Sequence, residues 1–128
     1  AHPSSRNFSM PAFTFSESLI TQSQTYSQTA LGYAEAGARD ALTRIARNPS
    51  YVCSSPDPCY TIDMVVSGCS ASNDGCAKIL VTASGQDRII TSTGVAKTST
   101  RQVQVTAIIS TNGEITSTAW CTPGINCP

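Results

Sequence analysis

The stretch ALGYAEAGARDALTRIA, residues 30–46, decides the fold. It is dense in alanine and carries Gly32 and Gly37, yet its apolar positions recur with a helical period. Each internal glycine costs a helix about 0.5–1 kcal/mol against alanine. Small residues at that cost imply that something lies close against this helix.

Working outward, the helical pattern covers 16–48. Ser16 is the expected N-cap, with Glu17 favourable beside the positive helix end. Leu19, Ile20, Ser23, Ser27, Ala30, Leu31, Ala34, Ala38, Ala41, Leu42 and Ile45 form one stripe. Gln22, Gln28, Glu35, Arg39, Thr43 and Arg47 lie opposite, with Glu35 and Arg39 spaced as an i,i+4 ion pair. Asn48-Pro49 stops the helix, because a residue before proline is pushed out of helical geometry.

Upstream, residues 1–15 (AHPSSRNFSMPAFTF) read as an extended N-terminal arm, since Pro3 and Pro11 oppose a helix running through them. All three phenylalanines of the protein, Phe8, Phe13 and Phe15, sit there beside Met10. Such an arm either folds back over its own domain or docks on a neighbour.

Downstream the period changes to two. Tyr60–Val66, Ala77–Ala83, Arg88–Ala96, Arg101–Ser110 and Glu114–Trp120 alternate as strands. Ser84-Gly85-Gln86-Asp87 and Thr111-Asn112-Gly113 supply turns. The expected fold is α+β: one long N-terminal helix on a four- to five-stranded antiparallel sheet (60–120), with disulfide-stapled loops. Val103, Val105, Ala107 and Ile109 should face the helix, and Arg101, Gln102, Gln104 and Thr106 largely should not. Residues 16–128 would form one domain.

The chain has 128 residues, of which only 12% are charged, and its net charge is zero. No clustered cations are available for nucleic acid or an anionic membrane. No apolar run is long enough to span a bilayer. Six cysteines in a short, weakly charged chain indicate a disulfide framework and an oxidising compartment. Their count allows many connectivities. The local pairs Cys53 with Cys59, Cys69 with Cys76 and Cys121 with Cys127 are favoured, because each encloses a short loop containing Pro, Gly or Asn. Their spacings do not match zinc ligands, so no metal or other cofactor is expected.

Catalysis finds little support. His2 stands alone near the terminus, and Asp57, Asp63, Asp74 and Asp87 fall in or beside loops without marking a pair. Trp120, the sole tryptophan, reads as core or sheet-edge packing.

The order of elements resembles the type IV pilins and their relatives in type II secretion. "ALGYAEAGARDALTRIARNPSY" (30–51) is similar to the helix of PilX-like minor pilins, where an Ala-Glu-Ala-Gly-x-x-x-Ala-Leu run is common. "IITSTGVAKTSTRQVQVTAII" (89–109) is similar to their paired strands. Such pilins carry an apolar first helix with a glutamate near its start; the Pro- and Phe-containing stretch stands in its place here. The resemblance implies a non-enzymatic structural subunit of an extracellular cell-surface filament. Its partners would be copies of itself in a helical array, with other pilins as further partners. Phe8, Met10, Phe13, Phe15, Leu19 and Ile20 are the expected assembly contacts. Two alternatives stay open: a secreted disulfide-stapled binding module or adhesin using the three loops, and a small secreted hydrolase.

Overall fold

A computed structural model describes the backbone of residues 11–70 and 75–128, and the side chains of residues 22–70 and 75–128. The fold is α+β. A single helix among the described residues, α1 (Pro11–Arg47), packs on one face of a five-stranded antiparallel sheet. The strands are β1 (Tyr60–Asp63), β2 (Gly75–Ser84), β3 (Asp87–Ala96), β4 (Ser99–Ile109) and β5 (Ile115–Cys121), and they pair in sequence order as a meander.

The helix begins at Pro11, upstream of the expected Ser16. Proline is compatible with the first helical position, where its missing N–H would have no intrahelical acceptor and its fixed φ already suits the helix. Pro11 therefore opens the helix, and Ser16 is interior to it. Residues 11–15, expected in an extended arm, are helical; residues 1–10 lie outside the described residues. The other end is as the sequence indicates. Arg44 and Arg47 occupy the last turn, and the Asn48 amide still donates to the Arg44 carbonyl at 3.0 Å before Pro49 intervenes.

Among the described residues, the fully buried helix side chains are Ala30, Ala34, Ala38 and Ala41, with Ile45 the one large member, and Leu31 and Leu42 pack half-buried beside them. Opposite them stand Ala77, Ile79 and Val81 of β2, Ile90 of β3, and Val103, Val105 and Ile109 of β4. The bulk in this core thus comes from the sheet. Burying each Val or Ile side chain contributes about 1.5–3 kcal/mol before entropy is counted.

Two glycines set the separation of helix and sheet, one on each side. A Cβ at Gly37 would stand 2.9 Å from the Ala77 Cβ and 3.2 Å from Ile79 Cδ1, and would press on Ser92 Oγ. A Cβ at Gly94, in the middle strand β3, would overlap the Ala30 carbonyl oxygen and lie 2.6 Å from the Ala34 nitrogen. The close neighbour implied by the glycines is therefore the sheet, and Gly94 is its counterpart. Gly32 is different: nothing lies within 4 Å of its Cβ position, and no packing explains it.

Strand β1 stops at Asp63, short of the expected Val66. Gly68, at φ +59°, closes a turn in which its amide bonds the Val65 carbonyl at 2.9 Å. Val65 and Val66 leave the sheet as a result. Arg101 is a second correction. It shares the helix-facing side with Val103 and Val105, and it donates to Ser27 Oγ at 2.9 Å, because the period of two puts alternate residues on one face. The opposite sheet face is wetter, with Thr82, Thr91, Thr93, Gln104 and Thr106 half-buried among their neighbours.

All three local disulfides are present, with Cα separations of 5.5, 5.5 and 5.1 Å for Cys53–Cys59, Cys69–Cys76 and Cys121–Cys127. The first lies along the free side of β2. Cys53 exchanges two backbone hydrogen bonds with Val81 at 2.9 Å, and the Cys59 amide donates to the Ile79 carbonyl at 3.0 Å. The second ties the turn after β1 to the buried start of β2. The third closes the chain after β5, where the Thr122 amide donates to Asn126 Oδ1 at 2.6 Å.

Candidate functional site

Of the expected assembly residues, Phe8 and Met10 lie outside the described residues. Phe13, Phe15, Leu19 and Ile20 fall on α1, where the backbone alone is described. Immediately downstream, helix positions 22–25 are exposed, and full burial begins at Ala30. The sheet's last rungs at this end, Gly94↔Arg101 and Ala96↔Ser99, lie beside Ala30 and Ser27. At positions 22–25 the helix is therefore already beyond the cover of the sheet.

A groove of about 450 Å³ lies where the helix leaves the sheet. Tyr26, Thr29 and Tyr33 form its helical wall, Val65 and Val66 the opposite wall, and Ala96 and Lys97 its end. Gly75 permits this arrangement: a Cβ there would stand 2.9 Å from Tyr33 Cε2 and 3.3 Å from Val65 Cγ1. Val66 is 105% exposed, so no described residue shelters it. Apolar side chains that the sequence pattern assigns to a strand are displaced by the Gly68 turn and gathered at one rim. That was not visible in the alternation of Tyr60–Val66, although Ser67-Gly68 was a signal for a break.

On the other side of the helix, Trp120 is 37% exposed, and the Arg39 guanidinium lies over its ring at 5.0 Å from the centroid. Arg39 therefore stacks on Trp120 instead of pairing with Glu35. A cation over an indole face gains about 0.5–1 kcal/mol at an exposed site, comparable to or better than a helix-surface ion pair. Trp120 also borders a shallow pocket of about 220 Å³ with Leu31, Glu35, Arg101 and Asn126.

The ion pair that does form on the helix is Asp40–Arg44, at 2.9 Å. The Tyr60 hydroxyl donates to the same Asp40 Oδ2 at 2.9 Å, and the Arg44 guanidinium covers the Tyr60 ring at 3.9 Å. This trio fastens β1, the shortest strand, to the helix. Burial, followed by the hydrogen bond to Asp40, pushes the Tyr60 hydroxyl well above the ordinary tyrosine range. For Arg44 burial opposes the charge, but the Asp40 hydrogen bond and the neighbouring Tyr60 outweigh it, and its pKa is raised.

The loop carboxylates have separate situations. Asp63 ends β1 opposite Cys76, while Asp87 opens β3 at the far end of the sheet and accepts from the Ile109 amide at 3.1 Å. Asp57 is exposed within the first disulfide loop, and Asp74 lies outside the described residues. Among the described residues no three His, Cys, Asp or Glu side chains gather as a metal site. No helix among them is long and apolar enough to cross a membrane. No family model, curated protein or solved structure matches this chain.

Proposed function

We propose that this protein is a pilin-like structural subunit of an extracellular filament, assembling by packing against copies of itself and performing no catalysis. One observation carries the reading. Among the described side chains of the 37-residue helix, positions 22–25 are exposed and full burial begins only at Ala30, and the sequence just upstream of them, 8–20, is rich in apolar residues. An amphipathic helix needs a partner for each apolar stretch. In a head-to-tail arrangement the neighbouring copy supplies that partner, and such contacts propagate into filaments when they do not close. Three disulfides and a weakly charged sequence rich in Ser and Thr suit an oxidising, extracellular setting. The likeness of residues 30–51 and 89–109 to PilX-like minor pilins points the same way.

Sedimentation and negative-stain microscopy of the full chain at rising concentration test this. The intact protein should form concentration-dependent oligomers or fibres, and a chain lacking residues 1–15 should remain a folded monomer. A full chain that stays monomeric at millimolar concentration would overturn the reading, and a truncated chain that assembles equally well would remove residues 1–15 from the contact.

The Trp120 pocket supports a second reading, a secreted binding module. There an aromatic ring stands beside Glu35, Arg101 and Asn126 next to the 121–127 loop. That protein would be monomeric, and its Trp120 emission would shift on adding a ligand.

A further inference from the structure

We infer that the groove beside Tyr26, Tyr33, Val65 and Val66 is the receptor for residues 8–20 of a second copy of this chain. The inference rests on the filament reading and specifies which surface receives which segment. Its first support is the groove itself. Two tyrosines and two valines converge at the point where the helix leaves the sheet, and Val66 is fully exposed there. Isolated surface apolar residues are ordinary, but a concave cluster of them marks an interaction site.

The second support is that the chain's own apolar stretch cannot fill the groove. Tyr26, Thr29 and Tyr33 lie on the same unbroken helix as residues 11–20. A helix segment cannot turn back onto its own continuation. Residues 8 and 10 are excluded by reach. Along the helix, Pro11 and Tyr26 are about 22 Å apart at 1.5 Å per residue. Phe8 precedes Pro11 by three residues, which span at most about 11 Å when fully extended. Residue 6 falls short by the same arithmetic, at about 18 Å. That leaves only AHPSS, which has no large apolar side chain. An intermolecular occupant is therefore required for this stretch to enter the groove.

The third support is charge. Residues 8–20 (FSMPAFTFSESLI) carry one charge, Glu17, and the groove lining carries one, Lys97. Their signs are opposite, so docking joins apolar surface to apolar surface with one compensating pair. Because the stretch at one end of the helix and the groove farther along are different surfaces, the contact continues from copy to copy unless two copies exchange stretches reciprocally.

The test places a photoreactive benzoylphenylalanine at Val66, whose full exposure leaves the monomer's packing untouched. Equal amounts of ¹⁴N- and ¹⁵N-labelled protein are irradiated under assembling conditions, and the cross-linked peptides are sequenced by mass spectrometry. Mixed-isotope cross-links into residues 8–20 are expected. Val66→Glu should weaken self-association about tenfold, the loss of one interface anchor, with an unchanged circular-dichroism spectrum. Lys97→Glu should also weaken it, and adding Glu17→Lys in the same chain should restore it. If the protein assembles but cross-links to another segment, or if Val66→Glu assembles like the wild type, this inference falls while the filament reading stands. If the protein does not assemble at all, both fall.

Discussion

Replacing Gly94 by alanine should separate the helix from the sheet, and the structure gives the size of the effect. The added Cβ would overlap the Ala30 carbonyl oxygen and stand 2.6 Å from the Ala34 nitrogen. Ordinary van der Waals contact begins near 3.4 Å, so the second contact alone requires a retreat of 0.8 Å (3.4 − 2.6). Both obstacles are helix backbone, which cannot rotate aside as a side chain would. The helix must move as a body, lifting Ala34, Ala38 and Ala41 from the sheet residues beneath them. A radial gap of 0.5–1 Å forfeits roughly a quarter to a half of each dispersion contact. Overpacked core positions lose about 1–3 kcal/mol, and the backbone obstacle places this one at the upper end. Removing a glycine from a strand returns at most about 1 kcal/mol. A net loss of about 2 kcal/mol is expected, a large share of a typical domain's 5–15 kcal/mol. Equilibrium urea unfolding with disulfides intact measures it as a midpoint lowered by about 1 M at constant m. Gly32→Ala is the internal control: its Cβ meets nothing, and the helix should gain up to about 1 kcal/mol. A Gly94→Ala protein within about 0.5 kcal/mol of the wild type would refute the close-approach argument.

Ser92 Oγ is fully buried without a hydrogen-bond partner and faces Gly37; Ser92→Ala should therefore raise stability by about 1 kcal/mol, relieving part of an unmet desolvation cost, and a lower urea midpoint would contradict that. Tyr60 keeps its proton longer in the folded state than in the unfolded one. Its stabilising contribution is thus complete below pH about 10 and declines as pH rises further. Tyr60→Phe should flatten that alkaline decline in urea midpoints measured against pH, and an unchanged slope would count against the Asp40–Tyr60 bond. Replacing Cys121 and Cys127 together by serine should speed amide exchange at Ala119 and Trp120 while leaving Ile79 and Ile90 protected; uniform acceleration would mean that the loop supports the whole sheet.

Much of this architecture can be read from residue order, for identifiable reasons. Ala30, Ala34, Ala38, Ala41 and Ile45 repeat at helical spacing because one face is buried, and Val103, Val105, Ala107 and Ile109 alternate because one sheet face is buried. Both periods are local consequences of a single layer contact. The helix start is ambiguous in the sequence, because Pro11 opposes continuation from upstream but permits initiation. Val65 and Val66 continue the alternation of β1, and only the turn at Gly68 diverts them. Glu35–Arg39 fails as a pair because Trp120, distant in sequence, offers the guanidinium a better surface. Gly94 carries no local sign of its role, since its partner is the backbone of residues 30–34. The groove was illegible for the same reason: it joins helix, turn and hairpin across the fold.

The disulfides span separations of 6, 7 and 6 residues, and none connects the helix to a strand. Tension applied to the upstream end of the helix would therefore meet no covalent tie across the seam. The load would fall first in shear on the alanine face, where Gly37 and Gly94 let the two layers interlock. The three bridges come into play only after that seam has slipped, by limiting how far the freed loops can lengthen. Toughness against pulling and resistance to reduction would thus be separate properties of this molecule.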